Sequence, residues 1–297
     1  MAEWVWERVY IESDWGIQNT VSNLHLINRS APDIITTFLC ADGHHKLIRW
    51  RIVTHGGVDG YSRMIVYLEC STNNRATTVY KLFMAAVERF GLPSRVRSDF
   101  GGENYMVARH MLRHRGSDRS SMITGSSTHN QRIERLWVDM HRSVTLLYYR
   151  LFYFLEQHTL LDALNEMHLF ALHYVYIPRI NKSLKAFQEG WNHHGLRTTN
   201  HLSPQQLFVQ GTIQLHSSGL TAFDFLQSVT EEYGDSIDDP MPAVEVESVT
   251  IPQGRFTLQQ TELDQLQRTV DPLQQSDNHG IDLYLSVLEY MHSLSHS

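Results

Sequence analysis

Three short stretches between residues 34 and 70 are rich in β-branched and other apolar side chains, which is typical of buried strands, and a fourth short strand is predicted before Asp99. They cover residues 34–42, 49–55, 64–70 and 94–99. The first and the last each end in a carboxylate, Asp42 and Asp99. An Asp-Gly pair, Asp59 and Gly60, predicts a reversal between the second and third stretches. The first three strands are therefore expected to form a meander.

The remaining apolar positions follow a helical period. Residues 76–90 form one predicted helix, which Gly91 and Pro93 terminate. A long helix is predicted from Thr128, which is expected to act as its N-cap with Gln131 completing a capping box. The apolar stripe of this long helix consists of Ile133, Trp137, Met140, Val144, Leu147 and Leu151.

Helical patterning continues towards the C-terminus. A further helical region extends from Leu160 to about Trp191, with an expected interruption at Pro178. A short docking helix is predicted over residues 281–294. Strands mixed with helices in this order predict an α/β fold with a mixed sheet flanked by helices.

These patterns divide the chain into four predicted segments. Residues 1–36 show no clear period, residues 37–160 form the core, and residues 161–216 form a C-terminal helical extension. Residues 217–297 form an acidic, partly disordered tail. The tail contains 14 acidic residues and two arginines, for a net charge of -12, so residues 1–216 carry +5 of the total -7. The mildly basic body therefore permits a nucleic-acid partner that the total charge alone would disfavour.

Composition excludes several other classes of protein. With 42% hydrophobic and 19% charged residues, the chain is expected to be a soluble globular protein without a membrane span. Its two cysteines, Cys40 and Cys70, rule out a disulfide framework, and no Cys-x-x-Cys zinc site is present. The first residues lack the pattern of a secretory signal, so we expect an intracellular protein.

Carboxylates at the ends of neighbouring strands and in the first turns of a helix suit metal-dependent phosphodiester chemistry. Two Mg²⁺ ions about 3.5–4 Å apart activate the attacking hydroxyl and stabilise the leaving oxygen in such sites. Hard oxygen ligands are what Mg²⁺ prefers. Asp42 and Asp99, which end two of the predicted strands, are candidates for this role, and Asp59, at the reversal after the second strand, is an alternative to Asp42.

Two motifs resemble those of DDE-type integrases from retroviruses and gypsy-type retrotransposons. Residues 96–104, VRSDFGGEN, resemble the family's S-D-x-G-x-E segment. Residues 125–137, GSSTHNQRIERLW, are similar to its G-x-x-x-H-N-Q-x-x-E-R helix. The 34 residues between Asp99 and Glu134 are close to the family's usual spacing.

The resemblance covers roughly residues 37–210 and implies an RNase H-like fold with metal-dependent DNA strand transfer. It makes Asp42, Asp99 and Glu134 both the catalytic and the metal-binding residues, with Mg²⁺ or Mn²⁺ as the cofactor. The family's first carboxylate lies on the first strand of the meander, which favours Asp42. The context of Asp59, DGYSR, resembles a family segment that follows the second strand and does not bind metal.

The resemblance further implies DNA as partner, a homo-oligomer and a nuclear location for a transposable-element integrase. The acidic tail is a candidate docking segment for a protein partner. The first strand has Leu39 where family members commonly have tryptophan. Family members also carry a zinc-binding His/Cys module before the core, and no cysteine pair precedes the core here. Two alternatives therefore stay open: a catalytically inactive, domesticated integrase that binds nucleic acid or protein, and a nuclease that uses the same carboxylates.

Overall fold

The computed structural model describes residues 38–99, 101–116, 120–125, 130–218, 249, 251–252, 254 and 256–295. The predicted segment 1–36 lies outside these residues. A five-stranded sheet of order β3-β2-β1-β4-β5 forms the centre of the fold. Its strands are β1 (Phe38–His44), β2 (Val53–Asp59), β3 (Ile65–Ser71), β4 (Arg95–Ser98) and β5 (Met122–Thr124).

The first three strands pair antiparallel, whereas β4 and β5 are parallel to β1. Helices surround this sheet: α1 (Ala76–Phe90), α2 (Tyr105–Arg115), α3 (Gln131–Met140), α4 (Leu146–Gln157), α5 (Glu166–His193), α6 (Pro204–Ser218), α7 (Gln260–Thr269) and α8 (Ile281–Ser295). The predicted mixed α/β architecture and its meander are confirmed. This is an RNase H-like fold with a C-terminal helical extension.

Successive side chains along each strand point to opposite faces of the sheet, so two hydrophobic cores form, one on each face. Leu39 and Ala41 face one core, which α1, α2 and Phe208 complete. Cys40, between them, faces the larger core, which is built with α3, α4, α5 and α8. Both cysteines are buried free thiols. The sheet is thus covered on both faces, and this positions α3 directly over β1.

Helix α5 covers the edge of the sheet formed by β3. The Asn192 side chain accepts from the backbone N–H of Ile65 at 2.8 Å and donates to its carbonyl at 3.0 Å. Three helical turns earlier, Asn181 makes the same pair of hydrogen bonds to Cys70, at 2.7 and 3.2 Å. These contacts satisfy backbone groups that an edge strand would otherwise leave unpaired.

The second strand was predicted too early in the chain. The stretch at residues 49–55 begins instead with a 3-10 turn, Ile48–Trp50, and the strand continues through Gly56 and Gly57 to Asp59. The two glycines are needed because large side chains pack against them. A Cβ on Gly56 would lie 2.6 Å from the Trp137 ring, and one on Gly57 would lie 2.3 Å from the Tyr67 ring.

The long helix begins later than predicted. It starts at Gln131 with Asn130 in the N-cap position, so the assignment of Thr128 as N-cap is wrong; Thr128 itself lies outside the described residues. Between α3 and α4 the chain continues as one π-helical turn, His141–Thr145. A π turn adds a residue to the helical repeat and so rotates the next stretch of helix about its axis. Tyr148 is therefore buried, and the predicted core residue Leu147 is 46% exposed.

The expected interruption at Pro178 is also wrong, because α5 passes through it without a break. A proline inside a helix costs about 3 kcal/mol through its missing N–H and a clash with the preceding turn. Here the helix buries side chains on both sides of the proline, at Val175, Tyr176 and Ile180. Burial of these side chains offsets the local cost. Among the described helices, none is long and apolar enough to cross a membrane.

Two helices of the predicted acidic tail pack against the core. Helix α8 coincides with the predicted docking helix at residues 281–294. Its Tyr284 is fully buried, and the hydroxyl donates to the carbonyl of Leu160 at 3.0 Å. The Tyr174 hydroxyl on α5 donates to the carbonyl of Val270 at 2.8 Å, just after α7. The described part of the tail is therefore integrated with the larger core.

Candidate active site

Asp42 and Asp99 occupy matching positions on neighbouring parallel strands. The β1–β4 register pairs Cys40 with Arg97, and each aspartate lies two residues beyond its member of this pair. Because the two strands run in the same direction, their carboxyl ends meet at the same edge of the sheet. The sequence pattern of two strands ending in a carboxylate therefore brings Asp42 and Asp99 side by side.

The Asp42 carboxylate is held by two donors. The indole Nε1 of Trp137 donates to Oδ2 at 2.9 Å, and the backbone N–H of Gly43 donates to Oδ1 at 2.7 Å. The indole lies in this position because Gly56, the register partner of Asp42 on β2, leaves room for its ring. Each carboxylate oxygen retains a second lone pair that a cation can use.

Burial raises the pKa of Asp42 to about 7, against the lowering effect of the Trp137 hydrogen bond. The charges of Asp99 and Glu134 raise the pKa further. This combination of burial and like charge makes the ionised form of Asp42 unfavourable. A cation at this position would relieve the repulsion.

Asp99 follows β4 and is supported by the short turn after it. Its Oδ1 accepts from Asn104 Nδ2 at 3.1 Å and from the backbone N–H of Gly101 at 3.3 Å. A Cβ on Gly101 would lie 2.2 Å from Oε1 of Glu103. Glu103 is buried, and burial followed by the charge of Asp99 raises its pKa. It is a fourth carboxylate beside the site, and the S-D-x-G-x-E motif contained it.

Glu134 is in the first turn of α3, where its side chain is exposed. Partial burial and the charge of Asp99 raise its pKa. The start of the helix is anchored to β1, because Asn130 Nδ2 donates to the carbonyl of Ala41 at 3.3 Å. This contact joins the first turn of α3 to the residue preceding Asp42.

Asp59 lies elsewhere. It pairs with Leu39, three residues before Asp42, which corresponds to about 10 Å along β1. Its Oδ2 accepts from the backbone N–H and the hydroxyl of Ser62, at 2.8 and 2.6 Å, and thereby closes the turn into β3. Burial raises its pKa to about 6, and the Ser62 hydrogen bonds oppose the rise. The structure thus brings Asp42, Asp99 and Glu134 into one electrostatic group that does not include Asp59.

Histidines close to the carboxylates are neutral at pH 7. Burial lowers the pKa of His44 to about 3, with further lowering by His141 and Lys46. The His44 ring lies 5.4 Å from the Trp137 ring and 5.9 Å from that of His141. Burial also lowers the pKa of His45 and of His141. These imidazoles therefore contribute ring packing rather than positive charge beside the carboxylates.

The sequence did not reveal the role of Trp137 in orienting Asp42. Its position in the apolar stripe predicted only burial. Its spacing of three residues from Glu134, on the same helical face, was the available signal. Among the described residues, no three His, Cys, Asp or Glu side chains already stand close enough to hold a metal ion jointly. The donor chemistry nevertheless fits Mg²⁺ or Mn²⁺, since three oxygen-bearing carboxylates repel one another here.

The strand order, the parallel β1–β4 pair and the helix above it define an RNase H-like core of the kind found in polynucleotidyl transferases. The chain belongs to the integrase core domain family, whose model matches residues 35–222, more than half of the sequence. This membership supports a polynucleotidyl-transferase type of function.

Among solved structures, the chain is similar to the catalytic core domain of HTLV-2 integrase, solved in complex with magnesium in a trimeric form. The two are 11% identical, with a TM-score of 0.39. The match covers 59% of this chain and 99% of that one. No curated protein matches the sequence significantly.

Proposed function

We propose that this protein joins a donor DNA 3′-hydroxyl to target DNA in a reaction that depends on Mg²⁺ or Mn²⁺. The observation that supports this most is the electrostatic coupling of Asp42, Asp99 and Glu134, which combines three carboxylates at one edge of the sheet. We further propose that the protein acts on DNA as a homo-oligomer in the nucleus.

Each carboxylate has its own part in this proposal. Asp42, whose pKa is raised by the charges of both other carboxylates, would contact both cations, while Asp99 and Glu134 would each complete one site. Bound divalent cations supply activation of the attacking hydroxyl and stabilisation of the leaving oxygen. Trp137 acts as a positioning residue, because its indole N–H fixes one oxygen of Asp42. Asn104 does the same for Asp99.

Proton balance at Asp42 is part of the reaction. With a pKa of about 7 in the absence of metal, Asp42 is partly protonated near neutral pH. Loading of a cation requires loss of this proton, because only the carboxylate is a good ligand. The buried surroundings of Asp42 strengthen its electrostatic interactions compared with those in water.

One observation favours a second function, a binding module that no longer catalyses. Among the described residues, the carboxylates do not already stand in a metal-binding arrangement. A retained integrase fold with a mildly basic body would then bind nucleic acid only.

Incubation of the full chain with donor oligonucleotide and plasmid in Mg²⁺ or Mn²⁺ separates these functions. Joined products that disappear in Asp99→Asn and Glu134→Gln, but persist in Asp59→Asn, support strand transfer. Nicked plasmid without joined product, with the same dependence on the two residues, indicates a nuclease. DNA binding that is equal in wild type and variants, with no product in either metal, favours the binding module.

A further inference from the structure

A cavity of about 430 Å³, lined in part by residues of β1 and α3, lies next to the candidate active site. Its volume falls in the usual range for pockets that bind small ligands. The walls combine aromatic side chains with guanidinium groups. Among its lining residues are Phe38, Arg63, Arg97, Arg132, Arg135 and Trp191.

Helix α3 presents different faces to the cavity and to the carboxylates. Gln131, Arg135 and Asp139 recur at four-residue steps and line the cavity. Glu134 and Trp137 lie on the adjacent face, towards Asp42. On β1, Phe38 and Cys40 line the cavity and Asp42 follows on the same side of the strand, about 13 Å from Phe38. The cavity therefore lies along the same face of β1 as Asp42.

The arginines of the cavity are oriented by contacts within the protein. The Arg97 guanidinium lies 5.6 Å from the centre of the Phe38 ring. Arg63 donates to the Thr198 hydroxyl at 3.3 Å. Such contacts hold guanidinium groups in fixed positions, which lowers the entropic cost of binding an anion.

Two aspartates interact with arginines that line the cavity. Arg135 pairs with Asp139 at 3.3 Å, and this aspartate is the acidic residue among those that line the cavity. Arg132 interacts with the buried Asp59 and lowers its pKa, against the dominant effect of burial. The lining of the cavity thus contains four arginines and one aspartate beside an aromatic wall.

We propose that this cavity binds a nucleotide unit, with its phosphate on the arginines and its sugar and base against Phe38, Trp191 and Leu196. Guanidinium groups match phosphate oxygens in a planar, two-pronged geometry. Arginines combined with aromatic rings are the usual surroundings of unpaired nucleotides on proteins. The direction of the strand towards Asp42 rests on the proposed function, but binding itself requires neither metal nor catalysis.

The test measures binding of a short fluorescent single-stranded DNA to the full chain in EDTA, by anisotropy at several salt concentrations. The double variant Arg63→Gln/Arg135→Gln removes two cavity arginines. The matched control, Arg109→Gln/Arg113→Gln, removes the same charge from two exposed positions on α2. The single variant Arg135→Gln changes an exposed helical side chain and serves if the double variant fails to fold.

The cavity variant is expected to weaken DNA binding about tenfold and to reduce the slope of log binding constant against log salt concentration by roughly one to two. The control variant is expected to lose clearly less affinity. Equal losses in both variants, or none in the cavity variant, would overturn the proposal. Displacement of the DNA by polyglutamate as readily as by polyphosphate would also overturn it. A nucleoside triphosphate that binds as tightly as the DNA, with the same arginine dependence, would identify a free nucleotide as the ligand. Weak triphosphate binding would identify a strand.

Discussion

Replacement of Asp42 by asparagine is expected to remove a loss of stability that the metal-free wild-type protein undergoes as pH rises. The pKa of Asp42 is about 7 in the folded protein and about 3.8 in a model compound. The folded state therefore binds more protons than the unfolded state between these values, and the free energy of unfolding falls as pH increases. Asparagine carries no titrating proton, so this loss disappears in the variant.

The structure sets the size of this effect. A difference of about three pKa units corresponds to at most about 4 kcal/mol, and relaxation of the site reduces this to roughly 2–4 kcal/mol. Asparagine has one oxygen, so it keeps either the Trp137 or the Gly43 hydrogen bond and loses the other. That loss costs about 1 kcal/mol at every pH. The test therefore rests on how the difference in free energy of unfolding between variant and wild type changes with pH, rather than on its value at one pH.

Urea denaturation in EDTA at pH 5, 6, 7 and 8 measures this slope. The stability of Asp42→Asn relative to wild type is expected to rise from pH 5 to pH 7 and to level off above it. Asp277→Asn, a change at an exposed position, provides the control and is expected to show little change with pH. A constant difference between Asp42→Asn and wild type across this range would refute the assignment of an electrostatically destabilised carboxylate.

Three further results are expected. Gly56→Ala is expected to displace the indole beside Asp42 and to lower the free energy of unfolding, measured by urea denaturation, by about 1–3 kcal/mol. Gly125→Ala, which has open space around its Cβ, serves as the neutral control, and equal stabilities of the two variants would contradict this packing. Asn181→Ala leaves two backbone groups of the edge strand unsatisfied and is expected to lose about 1–3 kcal/mol, against little change for exposed Lys182→Ala. Calorimetry is expected to show Mn²⁺ affinity falling about tenfold per pH unit below pH 7, because Asp42 must lose its proton; a flat profile would be inconsistent with that.

The sequence predicted what periodicity and motif spacing encode. The meander, the helix after it, and the carboxylates at the ends of β1 and β4 follow from strand patterns and from two linked motifs. It missed features that depend on packing between distant segments. Gly56 belongs to a strand because the Trp137 ring fills the space above it. Leu147 is exposed because a π turn rotates the helix, and no side-chain pattern announces that turn.

The C-terminal region shows the same limit. Its excess of acidic residues suggested a partly disordered tail, and burial of Tyr284 and its neighbours on α5 integrates α8 into the core. The helical period of residues 281–294 was present in the sequence. The surface that receives this helix combines side chains of α5, far earlier in the chain, with the preceding helix α7, so only the three-dimensional structure identifies it.

The most direct test of the central claim is a Mn²⁺ titration of wild type and single carboxylate variants, followed by electron paramagnetic resonance of the free ion. We expect the wild type to bind Mn²⁺ and Asp42→Asn, Asp99→Asn and Glu134→Gln each to lose more than about tenfold in affinity. Asp59→Asn, which alters a carboxylate that closes a turn, is expected to bind like wild type. Equal loss in Asp59→Asn, or wild-type affinity in the other three, would contradict the assignment of Asp42, Asp99 and Glu134 as one metal-binding site.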